Sequence, residues 1–273
     1  MASLVVTKPK CGFSAVTGSA YHLKVLSDLL KSNLKEQNAR VNKKGIFIRG
    51  ADSKERTLID VELYASALNM DPPEEEVEVG IVFNHLHDVM RRIKRKDSLH
   101  ISRSEGSDQL DFNILNAEKG RDKEAFIRLK EIPSTDWEFP TYPEQVICSI
   151  PASEFQRMTK ENSKSKYMTI KIQARGVKFM AGTPQQSQLS GMGDRYGKYK
   201  DGDDDLYCRV FETSQLTHLA KVNGLATSNF LKLYWLDNDQ PIMLESAIDL
   251  IGRLRILLSP LLATEVPVVA SKE

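Results

Sequence analysis

The densest chemistry in the sequence is a basic run, Arg91-Arg92-Ile93-Lys94-Arg95-Lys96, closing an amphipathic helical segment whose apolar positions are Leu86, Val89, Met90 and Ile93. Cations at a helix end can complement the negative end of the helix dipole, which is a local structural role. They can also hold phosphates, where the attraction comes from counterion release and carries no sequence information. The other helical segments tip the balance, because they too carry basic residues: Lys24 and Lys31, then Arg157, Lys160 and Lys164, then Lys221. No zinc-finger, homeodomain or basic-zipper pattern is present, and no strand carries an aromatic stacking signature. The pattern points to non-specific contact with duplex nucleic acid.

Reactive constellations are absent from the sequence. His85 and His87 lie two apart on a helix, point in different directions and make a poor metal pair. Asp201-Gly202-Asp203-Asp204-Asp205 lacks the EF-hand spacing and its closing Glu, and reads as a solvated loop. Gly191-Met192-Gly193 is followed by no Lys-Ser/Thr and opens no helix, so it is no phosphate loop. No Ser or Cys occupies a nucleophile elbow. The expectation is a binding protein, not an enzyme, with no catalytic residue, cofactor or metal.

The elements that must position these cations are written twice. Arg40–Ala51 is echoed by Lys171–Gly182, and each copy is a strand, a turn around a glycine (Gly45, Gly176) and a second alternating strand. Each hairpin follows an amphipathic helical segment (Gly18 to Asn33, Ala152 to Lys164). Each is followed by another helix-then-hairpin unit, Phe83 to Arg95 with Leu99–Leu115, and Thr213 to Thr227 with Phe230–Ser246. Basic residues on equivalent helices of a duplicated unit imply one shared surface. Thr57–Tyr64 and Val77–Val82 read as strands, and Thr183–Asp205, rich in Gly, Gln and Asp, as a mobile loop. Pro133, Pro140 and Pro143 keep the segment Glu131–Glu144 from being a helix or central strand, and it falls where the first copy ends.

At 273 residues the chain has room for two domains, each with its own core. Its 38 basic and 37 acidic residues give a net charge of +1, so any attraction to phosphate must come from local placement. Cys11, Cys148 and Cys208 show no paired spacing, which implies a reducing, intracellular compartment. The longest apolar run, Ile248–Leu262, is interrupted by Asp249, Arg253, Arg255 and Pro260 and is no membrane span.

The residues resemble the DNA sliding clamps of the proliferating cell nuclear antigen family over about positions 12 to 262. Gly18-Ser19 before Leu23-Lys24-Val25-Leu26, and Gly45-Ile46-Phe47-Ile48 with Asp52-Ser53 and Leu58, resemble the family's first helix and hairpin. Pro151-Ala152-Ser153-Glu154-Phe155, Arg175-Gly176-Val177-Lys178-Phe179 and Gln215-Leu216-Thr217 resemble its third helix, second hairpin and fourth helix. Gln240-Pro241-Ile242-Met243-Leu244 through Leu257-Leu258-Ser259-Pro260 resembles its last strands and tail. The resemblance implies an α+β clamp fold of two tandem similar domains, each with two helices packed on antiparallel sheet. It implies residues 1–132 as an N-terminal domain, 133–144 as the interdomain connector, 145–264 as a C-terminal domain and 265–273 as a tail.

Functionally, the resemblance implies a ring of three copies around double-stranded DNA that serves as a polymerase processivity factor in replication and repair. Work in the nucleus, or at a viral replication site in a virus, goes with that reading, as does a clamp loader and no membrane. Carried over by position, the DNA-facing residues are Lys24, Arg91, Arg157, Lys160, Lys164 and Lys221; the chain's own charge pattern adds Arg92, Lys94, Arg95 and Lys96. A pocket for the short hydrophobic peptides of client enzymes falls on Leu58, Trp137, Phe139, Pro140, Pro241, Leu257, Ser259 and Pro260. Trp137 and Phe139 either receive partners or pin the connector to the sheet. Ala51 and Arg56 depart from larger apolar residues of the family. The polar stretch Gln185–Ser190 falls where the family places one side of its subunit contact, opposite the good strand Ala125–Leu129, and implies a weaker ring. Two other readings remain: a checkpoint-type subunit closing a ring with two different partners, and a monomer that clings to DNA by charge alone.

Overall fold

Both hairpins close on two-residue turns in the same register. Strand β2 (Glu36–Asn42) pairs with β3 (Gly45–Ala51) up to Asn42 opposite Gly45, and β10 (Tyr167–Gln173) pairs with β11 (Gly176–Ala181) up to Gln173 opposite Gly176. Gly45 has φ +148°, and a Cβ there would lie 1.9 Å from the Leu63 carbonyl oxygen, so the turn requires glycine. These observations come from a computed structural model, which describes residues 11–116, 120–142, 148–183, 194–198, 200, 202–225, 230–235, 240–262 and 264–266.

The first half runs β1 (Cys11–Thr17), α1 (Ala20–Asn33), β2, β3, β4 (Thr57–Tyr64), β5 (Val77–Val82), α2 (Phe83–Met90), β6 (Ser98–Ser104), β7 (Gln109–Asn116) and β8 (Arg121–Arg128). The second repeats that order as β9 (Cys148–Pro151), α3 (Ala152–Glu161), β10, β11, β12 (Asp194–Gly197), β13 (Tyr207–Glu212), α4 (Thr213–His218), a 3-10 turn (Ala220–Gly224), β14 (Phe230–Tyr234), β15 (Ile242–Ile248) and β16 (Gly252–Leu258). The pairing repeats as well. The sheet β1-β6-β7-β8 has its counterpart in β9-β14-β15-β16, and β5-β2-β3-β4 in β13-β10-β11-β12. Antiparallel pairing of β4 with β16, from Leu63 opposite Gly252 to Thr57 opposite Leu258, fuses one sheet of each half into eight strands. Among the described residues, β8 and β12 end their sheets, and they are the counterparts of the fused pair β16 and β4.

Burial follows from the sequence pattern. Helix α1 buries Ala20, Leu23, Leu26, Leu29 and Leu30, the stripe expected of 3.6 residues per turn. Ile59, Val61 and Leu63 of β4 alternate inward and belong to one apolar core shared by both halves.

Three features differ from the sequence reading. Helix α2 stops at Met90, not Arg95; continuing it would set like charges at i,i+3 and i,i+4 spacing, Arg91 with Lys94 and Arg95 and Arg92 with Arg95 and Lys96. The basic run continues as turns in which buried Asp97 accepts from the Lys94 amide (2.9 Å) while Ile93 stays in the core. The fourth helix breaks after His218 into the 3-10 turn. Within the Thr183–Asp205 stretch read as a loop, Asp194–Gly197 is a strand on β11, from Phe179 opposite Asp194 to Gly176 opposite Gly197. It has no alternating pattern and owes its conformation to the hydrogen bonds β11 offers. The Gln185–Ser190 stretch, Gly191-Met192-Gly193, Pro143, Asp201, Thr227, residues 1–10 and residues 267–273 lie outside the described residues.

The chain entering the connector is clipped to β5 and β2. The Lys130 amide donates to the Gly80 carbonyl (3.0 Å) and the Asn38 side chain to that of Ile132 (2.9 Å). A Cβ on Gly80 would fall 1.8 Å from the Lys130 carbonyl oxygen, a clash with backbone that no rotamer relieves. Gly80→Ala is expected to destabilise the chain by about 3 kcal/mol, the upper range for overpacking. A urea midpoint within error of wild type would contradict this.

Candidate nucleic-acid interface and client pocket

The helices form one layer. Helix α1 packs on α2 at one side and on the 3-10 turn and α4 at the other, while α3 packs on the 3-10 turn and α4. Ten basic residues were expected to share this surface, and the structure sorts them by what they touch. Lys24 donates to the carbonyls of Arg91 (3.1 Å) and Ile93 (2.8 Å), closing the frayed end of α2. Lys221 pairs with Asp28 at 2.8 Å. Arg157 is held by Glu154 (2.9 Å), Glu161 (2.7 Å) and Asp194 (3.2 Å), hydrogen bonds that raise its pKa above the ordinary guanidinium value. The Arg95 guanidinium lies over the Tyr21 ring at 5.4 Å.

Arg91, Arg92, Lys94, Lys96, Lys160 and Lys164 are exposed. Arg91 reaches Asp88 only at 3.8 Å. Exposed positive charge therefore concentrates on the turn after α2 and the end of α3. A small network joins the halves in between: Lys31 donates to His87 Nδ1 (3.1 Å) and His87 Nε2 to Asp28 (3.1 Å), the carboxylate that also holds Lys221. Nδ1 must accept there, because an ammonium has no acceptor to offer.

On the opposite face of the eight-stranded sheet, register builds two parallel rows. Ala51, Leu58, Leu257, Met243 and Tyr234 lie directly across from one another on β3, β4, β16, β15 and β14. Two residues along the same strands run Arg49, Asp60, Arg255, Glu245 and Lys232, which alternate in charge. Asp60 is 4% exposed and pairs with Arg49 (2.7 Å) and with Arg255. Arg255 also reaches Glu62 at 2.9 Å, and Lys232 reaches Glu245 at 3.2 Å.

The connector crosses this surface. Trp137 and Phe139 are half-buried. Phe139 lies on the guanidinium of Arg255 (4.8 Å to the ring centroid) and near that of Arg49 (5.8 Å), beside Leu58 and Leu257. Arg49 also donates to the Trp137 carbonyl (3.1 Å). Pro140 is exposed; Pro241, Ser259 and Pro260 are half-buried. Tyr142 packs in the same cluster and donates its hydroxyl to the Pro241 carbonyl (2.8 Å), and burial pushes its phenol up to about 12.

Arg56, where the family has an apolar residue, ties the tail instead. Its guanidinium pairs with Glu212 (3.3 Å) and Glu265, and its carbonyl accepts from Ser259 (2.9 Å). Sequence reasoning missed Arg49, Arg255, Tyr234 and Met243, which only strand register brings together, and Tyr142, which the connector lays on them. Among the described residues no helix is long and apolar enough to cross a membrane, and no His, Cys, Asp and Glu cluster is placed to hold a metal ion.

Duplicated strand order, one helical layer and an outer sheet crossed by a connector define the DNA clamp class of fold. The family described as the proliferating cell nuclear antigen N-terminal domain matches residues 13–138. A DNA polymerase sliding clamp of Cenarchaeum symbiosum is 25% identical over 257 residues, covering 91% of this chain and 98% of that protein. A protein of Paramecium bursaria Chlorella virus 1 named probable DNA polymerase sliding clamp 1 is 23% identical, covering 88% and 94%. The fold is shared with the proliferating cell nuclear antigen of Entamoeba histolytica at a TM-score of 0.76 and 19% identity, over 92% of this chain and all of that one. Over nearly its whole length the chain is similar to sliding clamps of the proliferating cell nuclear antigen type, at a level of identity that marks it as divergent from them.

Proposed function

We propose that the protein is a sliding clamp, a processivity factor that closes as a ring of three copies around duplex DNA. Two clamp domains meet at a connector over residues 133–144, and the pocket beneath it tethers DNA polymerase, a loader and other replication and repair enzymes. The observation that carries this reading is the pair of sheet ends β8 and β12. They are the counterparts of β16 and β4, which are fused inside the chain. Pairing β8 of one copy with β12 of the next would repeat that internal junction, a heterologous contact that closes and leaves neither edge bare. Phe126, 55% exposed on β8, would be covered by it.

Among the described residues strand β12 offers four positions where β4 offers eight, and the Gln185–Ser190 stretch of the sequence before it is polar; both support a contact between copies weaker than the internal one. The helices, with the exposed cations of the α2 turn and the end of α3, line the hole. The ring holds DNA by topology and needs little affinity, which suits a chain of net charge +1. Chemistry belongs to the clients, and the place of work is the nucleus, or the replication site of a virus.

Retention on linear DNA tests the reading. A loaded ring persists when both ends are blocked and leaves when one is opened; a charge-bound monomer loses binding steeply with salt and ignores the ends. Sedimentation across a dilution series should show trimers dissociating as the protein is diluted. A monomer at every concentration would remove the self-closing ring in favour of one built with different partners.

A further inference from the structure

The apolar row that serves as the client pocket is covered in the free protein. Phe139 and Tyr142 pack on Leu58, Leu257, Met243 and Tyr234, and each ring is fixed by a second contact. For Phe139 these are the guanidinium faces of Arg255 and Arg49; for Tyr142 it is the hydrogen bond to the Pro241 carbonyl. Glu138, Pro140 and Thr141 between and beside them are exposed. The segment Trp137–Tyr142 thus turns its aromatic rings to the sheet and the rest to solvent, as a bound peptide would.

We infer that Phe139 and Tyr142 are a built-in occupant of the client pocket, so that docking exchanges one pair of rings for another. This rests on the client-pocket reading above. The partner chemistry follows from what the departing rings uncover, an apolar wall of two leucines, a methionine and a tyrosine beside two guanidinium faces. An aliphatic side chain satisfies the wall alone, whereas an aromatic ring satisfies the wall and the cations. The incoming segment is therefore a peptide with two aromatic side chains about three positions apart. It competes against a tethered rival whose effective concentration is on the order of millimolar. Its apparent affinity falls by the fraction of time the pocket stands open.

The probe is a fluorescein-labelled synthetic copy of residues 134–142, read by anisotropy against the full-length chain and its Phe139→Ala/Tyr142→Ala variant. Both residues lie in the connector, outside the shared core. The copy is expected to bind the variant at least about tenfold more tightly than wild type. Phe139→Leu alone, which keeps bulk and loses the ring, should give a smaller gain. Equal binding to both proteins, or binding to neither, overturns the inference; weaker binding to the variant does too, since the rings would then be part of the receptor. The client reading fails separately. Polymerase-derived peptides that bind neither protein, while the copy binds the variant, leave a self-occupied pocket that is not the client site. Polymerase peptides that bind both proteins equally keep the client site and remove the occupant.

Discussion

Replacing Arg91, Arg92 and Lys94 together with glutamate is expected to weaken direct binding to duplex DNA and to flatten its salt dependence, while a ring already closed on end-blocked duplex stays linked to it. All three side chains are exposed on the turn after α2, and among the described residues Arg91 reaches a carboxylate, that of Asp88, only at 3.8 Å. Each phosphate contact contributes about 0.9 to the slope of log K against log salt, so three lost contacts remove about 2.7 units. At about 0.1 M salt that is on the order of 10²- to 10³-fold in affinity before repulsion by the new carboxylates is counted. The fold should survive, because Ile93 and Asp97, which fix the turn, are untouched.

The contrast with other basic residues makes the result specific. Arg157→Ala should change binding far less than Lys160→Glu/Lys164→Glu, because Glu154, Glu161 and Asp194 already engage its guanidinium. Lys24→Ala should act through stability, by opening the end of α2. A triple variant with wild-type salt slope would place DNA elsewhere on the molecule.

How far the sequence carried this reading depended on the range of the interactions. The two hairpins were legible because a turn glycine and strand alternation are local signals, and Gly45 meets both a positive φ and a blocked Cβ. The apolar stripe of α1 was legible for the same reason. Strand β12 was not: Asp194–Gly197 has no pattern of its own and exists because β11 needs a neighbour. The basic residues were found but not their states, since Asp28 reaches Lys221 across 193 positions of chain and Lys24 caps carbonyls 67 and 69 positions away. The outer rows needed five strands from both halves in register, and no local signal in Arg49 or Tyr234 announces that they share a face.

A loss of stability as large as that of Gly80→Ala is expected at Asp60. Its carboxylate is almost fully buried and sits between Arg49 and Arg255 at the seam where β4 meets β16, the pairing that joins the two halves. Asp60→Ala leaves two part-buried guanidinium groups without this partner, and removing one member of a buried ionic network costs about 3–5 kcal/mol. Arg255 keeps Glu62 at 2.9 Å, which places the expected cost near the lower bound, about 3 kcal/mol. For a chain of this size that lowers Tm by roughly 6–12 °C at fixed protein concentration. The connector should loosen with it, because Arg49 and Arg255 are the faces on which Phe139 rests and Arg49 holds the Trp137 carbonyl. Limited proteolysis should then cut within residues 133–142 well below the melting temperature, where the wild-type chain resists. Asp60→Asn keeps the shape and removes the charge, so it should reproduce most of both effects. If Asp60→Asn melted with wild type while Asp60→Ala fell, packing and not charge would hold the seam. A connector still protected in both variants would show that the apolar row and Tyr142 anchor it without the arginines.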